Sequence, residues 1–297
     1  MCGEPLHYTV KFCPYCGFAL GINRKEPEEF AYEQQEQLFP RELEEEGRKK
    51  LTKKKKIAII VGAIVILAAI IIPAANIAIY ETKYLQKKVS FYVNNGLSAR
   101  SYTVKISREK FNYYKNAPHP YHTSFDANYT ASVIESYCTP DDGKIIQIAE
   151  DVRSKCIDPY DSEEIINALL SFTQAITYKY DIVDLAQYPL ETIFEKGDCE
   201  DLSILFGSLV EALGYNAIIM VVEYYDEIEA EWVGHACVGV YLSYIPTAHL
   251  GYPPSHSYEA GDLEYWICET TAQGYMIGHL PASNPSYFSI EGYAYIN

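Results

Sequence analysis

The chain has 297 residues, with 40 Asp and Glu against 24 Lys and Arg and a formal net charge of −16, a balance that makes nucleic acid an unexpected partner. The acidity is confined to one part: residues 1–56 carry 11 basic and 10 acidic side chains, whereas residues 81–297 carry 13 and 30. With 48% hydrophobic and 14% aromatic residues overall, the last 217 can bury the core of a domain, which excludes intrinsic disorder there.

Residues 1–20 hold Cys2-Gly3 and then Cys13-Pro14-Tyr15-Cys16-Gly17, a spacing in which two thiolates grip one tetrahedral zinc ion while glycine allows the tight turn. The block resembles the short zinc ribbons at the start of many archaeal membrane proteins. The resemblance implies a structural zinc on Cys2, Cys13 and Cys16 and a cytoplasmic partner for the ribbon. A fourth ligand is missing: an upstream start codon would supply it by completing a first knuckle, or His7 would substitute. Three reduced, metal-free cysteines are the alternative.

Residues 21–56 read as a charged cytoplasmic linker, passing from an acidic, Gln-containing stretch into a lysine run that suits anionic lipid head groups. From Ile57 to Tyr80 come 24 residues with no charged side chain and no histidine, enough for a helix of about 36 Å and so for one membrane span. Pro73 and Asn76 fall in its last turns, where they are tolerated best. Arg48, Lys49, Lys50 and Lys53 to Lys56 precede the span, and only Lys83, Lys87 and Lys88 stand close after it. The positive-inside rule then gives a single-pass type II protein of the cell membrane, with residues 81–297 outside the cytoplasm.

Residues 81–130 read as a membrane-proximal segment with some β structure, in which Tyr102, Val104 and Ile106 alternate with polar residues. Asn128-Tyr129-Thr130 is a glycosylation sequon, consistent with an exported loop. A helical pattern over 162–178 opens with a Ser162 cap. Gly197-Asp198-Cys199-Glu200-Asp201 then leads into apolar residues at 202, 205, 206, 209, 210 and 213 and stops at Gly214, an amphipathic helix with Cys199 in its first turn. Unpaired N–H groups and the helix dipole there favour thiolate over thiol, and the same N–H groups can stabilise an oxyanion.

The period then switches to two. Ala217–Tyr225 and Trp232–Leu242 read as strands, the second carrying His235, and Leu263–Cys268 as a third that ends at Glu269. Taken singly, Cys199 is equally an inert buried thiol, His235 a satisfied structural histidine and Glu269 a surface strand end. Together, a cysteine on a helix start, an imidazole on one strand and a carboxylate ending the next have the chemistry of a thiol acyl-transfer site.

The order Gly-Asp-Cys-Glu-Asp, Gly-Tyr-Asn-Ala, Gly-His-Ala and Trp-x-Cys-Glu-Thr-Thr resembles archaeal and bacterial members of the transglutaminase-like superfamily over roughly residues 131–297. That resemblance implies an α+β, papain-like core, with a helix carrying the cysteine packed on an antiparallel sheet and a triad falling on Cys199, His235 and Glu269. Two departures stand out: Glu269 occupies a place where Asp is commoner, and Cys237 one where many members have Trp. Cys237 lies two residues from His235 on a strand, so it shares its face and is expected to line the site, as is Trp266. Gln187 or Tyr188 is expected to approach the oxyanion. The implied activity is a peptidase or amidase acting on an extracellular peptide, protein or envelope polymer, with no catalytic cofactor. Protein cross-linking and non-catalytic binding on the same fold are the alternatives.

Glu223, Asp226, Glu227, Glu229 and Glu231 gather between two strands, as a solvated hairpin tip or a calcium site. Residues 243–262 form a Pro- and Tyr-rich insertion that reads as a substrate-binding loop, and Cys138 and Cys156 are candidates for a disulfide.

Overall fold

The computed structural model describes residues 11–12, 19–20, 83–119, 126–180, 185–226, 230–247, 256–280 and 285–297. The expected membrane span at 57–80 and the cysteines Cys2, Cys13 and Cys16 lie outside these residues. Among the described residues no helix is long and apolar enough to cross a membrane. Two short strands, β1 (Lys11–Phe12) and β2 (Ala19–Leu20), pair with each other.

From Lys83 onward the chain opens with a hairpin of β3 (Tyr84–Val93) and β4 (Ser98–Ser107), paired in register from Tyr84↔Ser107 to Val93↔Ser98. Val89, Phe91 and Val93 alternate inward, as do Val104 and Ile106, so one face of the hairpin is apolar and needs a partner. That partner is α4 (Ser162–Gln174), reached through α1 (Arg108–Lys115), α2 (Ala127–Glu135) and α3 (Gly143–Arg153). Phe91 meets Phe172 edge to face at 5.8 Å. Polar staples fix the docking: the Asn94 N–H donates to Glu164 Oε1 at 2.9 Å, and Asn167 Nδ2 to Asn95 Oδ1 at 3.1 Å. The hairpin and α1 thus share one core with α2, α3 and α4, and position 130 falls inside α2. The sequon is helical rather than in a loop: Asn128 lies on α2, where its Oδ1 accepts the Tyr293 N–H at 3.2 Å.

The cap of α4 sits one residue earlier than the sequence suggests. Asp161 is the N-cap, its Oδ1 accepting the N–H groups of Glu163 at 3.0 Å and Glu164 at 3.4 Å, because a carboxylate also answers the positive helix end. After α5 (Pro189–Phe194) comes α6 (Cys199–Glu211), buried on nearly every side. It lies against a five-stranded antiparallel sheet of order β7-β8-β6-β5-β9, built from β5 (Ala217–Asp226), β6 (Glu231–Tyr241), β7 (Ser257–Ala260), β8 (Leu263–Cys268) and β9 (Phe288–Tyr295).

Alternation divides the sheet's side chains. Ala217, Ile219, Ala236, Val238, Val240, Trp266 and Cys268 join the helical core, while Ile218, Met220, Val222, Cys237, Tyr265 and Ile267 form a second cluster on the other face. That second face closes on itself: Tyr258 of β7 and Tyr293 of β9, on opposite edges, bring their rings to 5.5 Å, so the sheet curls toward a barrel. At Gly292 of β9 an added Cβ would collide with the Ala127 backbone, so glycine permits the approach of strand and helix. The register of β9 against β5 shifts beside Val221 and Val222, leaving Glu291 bulged.

Candidate active site

Cys199 is the first residue of α6. The helix begins there because Asp198, in extended conformation, is the N-cap of a capping box: its Oδ1 accepts the Asp201 N–H, and Asp201 Oδ2 accepts the Asp198 N–H at 3.3 Å. Asp201 Oδ1 also accepts the Gln187 N–H at 2.6 Å, tying in the preceding segment. Gly197 is required for the fit, since a Cβ there would stand 2.5 Å from Asp201 Cβ. Burial and the neighbouring Asp198 raise the Asp201 carboxyl to about 8, against the two N–H groups it accepts.

The structure brings Cys199, His235 and Glu269 into one region. His235 lies on β6, and the backbone N–H of the next residue, Ala236, is close enough to the Cys199 thiol to favour its charged form. Glu269 stands directly after β8 and is 1% exposed, with Oε2 2.8 Å from His235 Nε2. Its Oε1 accepts the Thr271 N–H at 2.6 Å and the Thr271 hydroxyl at 2.5 Å. Burial alone would raise this carboxyl, but the charge of His235, its hydrogen bond and the two Thr271 donors outweigh burial and hold it below the ordinary value. Glu269 is therefore an ionised acceptor and no surface strand end. Gln174, at the end of α4, fixes the strand terminus by donating Nε2 to the Glu269 carbonyl at 2.8 Å and to the Tyr275 carbonyl at 3.1 Å. The Tyr224 ring stands edge-on to His235 at 5.7 Å.

The expected resting thiolate is not found. Burial raises the Cys199 thiol well above its ordinary value, Glu200, Asp198 and Glu269 add to the effect, and the Ala236 N–H opposes it without prevailing. The thiol donates to Glu200 Oε2 at 3.7 Å. A helix start favours thiolate only where burial and nearby carboxylates do not oppose it, and here burial first and the carboxylates after it both do.

The other expected site residues lie elsewhere. Cys237 is fully buried in the second cluster beside Glu269, so it does not line an open site. Trp266 is 5% exposed in the helical core, because residues of β8 that alternate with Glu269 lie on the face of the sheet that the helices cover. The Gln187 side chain donates to the Lys196 carbonyl at 2.9 Å and so buttresses the loop before Cys199. Tyr188 packs among Tyr114, Tyr137 and His119 with ring centroids 5.0 to 5.5 Å apart, and its hydroxyl donates to the Pro118 carbonyl at 3.4 Å. Cys138 and Cys156 are separate free thiols. From the insertion, Thr247 is anchored on Glu163 of α4, with its N–H 2.9 Å from Oε2.

Two residues near the thiol are not marked by the sequence. Tyr178 pairs with Gly197 in a parallel bridge that holds the segment entering α6, and Tyr224 flanks His235. Their only sequence signal is a tyrosine next to a strand or helix end, which a chain with 28 tyrosines offers many times over. Among the described residues, the one group of three or more His, Cys, Asp or Glu side chains close enough to share a metal ion is Asp198, Cys199 and Glu200, which includes the candidate cysteine itself.

No family model matches the chain, and no curated protein matches it. Among solved structures, a crystal structure described as a "putative cysteine protease" from Cytophaga hutchinsonii is similar at a TM-score of 0.32 and 17% identity, covering 72% of this chain and 75% of that one. The functional reading of the site therefore rests on its own geometry.

Proposed function

We propose that the chain is a membrane-anchored, extracytoplasmic thiol hydrolase of the transglutaminase-like kind, which cleaves peptide or amide bonds through an acyl-enzyme on Cys199. The observation that carries this reading is the 2.8 Å contact between a buried Glu269 and His235, on a strand whose next residue, Ala236, lies beside the Cys199 thiol. An ionised carboxylate can only accept, so His235 Nε2 carries the proton and Nδ1 is left as the base. Nδ1 takes the thiol proton as sulfur attacks the carbonyl carbon, and the imidazolium so formed is stabilised by Glu269. It then gives that proton to the departing amine, and a water activated in the same way releases the acid. Because the resting thiol is neutral, the proton transfer belongs to the attack itself.

Apolar residues 57–80 and the lysines before them support the anchor and its orientation. Cys2, Cys13 and Cys16 would hold a structural zinc in the cytoplasm, where the ribbon would meet its partner. The test is acetylation of the full-length chain by p-nitrophenyl acetate, with mass spectrometry of the product and Cys199→Ala and His235→Ala as comparisons. A p-nitrophenol burst with one acetyl group on Cys199, absent from both variants, supports the reading; an equal response in all three proteins overturns it. Repeating the reaction with a primary amine separates hydrolysis from transamidation, since only a transferase diverts the acyl group to the amine.

A further inference from the structure

Helix α6 covers one face of β5 and β6 only as far as its own first residue. At its far end Glu211 Oε1 accepts the Ala217 N–H at 2.6 Å, and at its start Cys199 lies beside Ala236. The cross-strand pairs between these points, Ala217↔Val240, Ile219↔Val238 and Val221↔Ala236, are buried or half-buried. Directly opposed residues share a face, so the next pairs on that face are Glu223↔Gly234 and Tyr225↔Trp232. They lie beyond the helix start, and Glu223, Gly234 and Trp232 are exposed.

The two strands therefore run on past the thiol as an open floor. A Cβ built on Gly234 would meet no atom within 4 Å, so nothing among the described residues fills the space above it. Same-face pairs stand about 7 Å apart along a strand, and Glu223, opposite Gly234, is one such step from the Ala236 that adjoins Cys199. A second carboxylate comes from the helix: Glu200 Oε2 is 3.7 Å from Cys199 Sγ. Around both, residues 81–297 carry 30 acidic side chains against 13 basic. A floor of this charge draws cations toward the thiol and turns anions away.

We propose that this floor is the substrate groove and that Glu223 is its specificity-determining residue, selecting peptides with a lysine or arginine side chain one or two residues from the bond cleaved. The proposal rests on the thiol hydrolase reading and names its substrate class. An extended segment advances about 3.3 Å per residue, so a carbonyl held at Cys199 leaves the side chain one or two positions away over Gly234. There a long aliphatic stem carries its charge to Glu223. An acidic side chain in the same place meets Glu223 and Glu200 and is rejected, so the selection works by repulsion as well as attraction.

The experiment measures protection of Cys199 from iodoacetamide in the full-length chain by three alanine pentapeptides, N-acetylated and C-amidated, with lysine, norleucine or glutamate at the centre. Norleucine keeps most of the lysine stem without its charge. The lysine peptide should protect at about three- to fivefold lower concentration than the norleucine peptide, the effect of one partly exposed ion pair, and the glutamate peptide should protect least. Glu223→Gln should at least halve the lysine preference and Glu223→Lys should reverse it in favour of glutamate, with each protein referred to its own rate without peptide and its fold checked by its urea midpoint. Equal protection by the three peptides in the wild type, or a lysine preference that both variants retain in full, overturns the proposal. Protection is read without turnover, which separates the two readings. A chain never acylated by p-nitrophenyl acetate but protected selectively by the lysine peptide overturns the hydrolase reading and leaves the groove's selectivity standing; an acylated chain with no lysine preference overturns this proposal alone.

Discussion

Glu269 divides its two carboxylate oxygens between partners: Oε1 takes both donors of Thr271, at 2.6 and 2.5 Å, and Oε2 takes His235 Nε2 at 2.8 Å. That division makes Glu269→Gln a sharp test. The Thr271 donors select the amide oxygen for their side, so the amide N–H₂ group faces His235. A donor there forces Nε2 to become an acceptor and moves the ring proton to Nδ1, the nitrogen that must act as base. Acylation by p-nitrophenyl acetate should fall about 10³- to 10⁴-fold, as when a triad carboxylate is replaced by its amide. A fall below tenfold would mean that Glu269 does not set the tautomer.

The resting thiol provides a second test. Burial, Glu200 and Asp198 keep Cys199 protonated, so its alkylation rate should climb steadily with pH between 7 and 9 without a plateau in the neutral range. Glu200→Gln removes the neighbouring charge with the largest effect while keeping the side chain's size, and should raise the alkylation rate several-fold at pH 8. Cys156, whose thiol burial pushes up to about 12, serves as a slow internal reference in the same mass-spectrometric digest. A plateau near pH 6 in the wild-type chain would instead mean a preformed thiolate.

These two tests mark where the sequence stopped being informative. The helix carrying Cys199, the strands carrying His235 and leading to Glu269, and the α+β class were legible because each is a local period bounded by its own stop signals. Strand β3 is hard to read locally although Val89, Phe91 and Val93 alternate, since the lysines ahead of them disguise a strand whose apolar face is covered by α4, 70 residues and more away. The shared face of His235 and Cys237 is a matter of strand geometry. What seals Cys237 is the curl that brings Tyr258 and Tyr293 together across the sheet, a contact between opposite edges that no local pattern encodes. The charge state of Cys199 is hidden from the sequence for a similar reason: the helix start is local, but burial and Glu269 arrive through the fold.

Gly197 couples stability to the site. Gly197→Ala would place a methyl group 2.5 Å from Asp201 Cβ and 3.0 Å from Thr192 Cγ2, both on helices held in the core. The helix start must shift or the capping box must open, at a cost of about 1–3 kcal/mol in unfolding free energy. Urea denaturation monitored by tryptophan fluorescence reads this as a lower midpoint at unchanged slope. Because the displaced residues directly precede Cys199, acylation should fall as well in the fraction that remains folded. A midpoint equal to that of the wild type would show that the loop accommodates the methyl group.

Asp201 predicts the direction of a pH effect on stability. Its carboxyl sits near 3.8 in the unfolded chain and at about 8 in the folded one, raised by burial and by Asp198. Below pH 4 both states are protonated, and the favourable contribution is fully present. Between about 4 and 8 only the folded state keeps the proton, so stability declines as pH rises through that window, and above it the loss is complete. Glu211, raised to about 7 by burial, contributes with the same sign. The urea midpoint of the wild-type chain should therefore be higher at pH 5 than at pH 9. Asp201→Asn removes the larger of the two titrations and should shrink that difference without abolishing it, while lowering the midpoint at pH 5 because an amide N–H₂ group then faces the Asp198 N–H. An Asp201→Asn protein whose pH dependence matches the wild type would mean that the folded carboxyl titrates normally, and that the capping box holds an ionised aspartate at neutral pH.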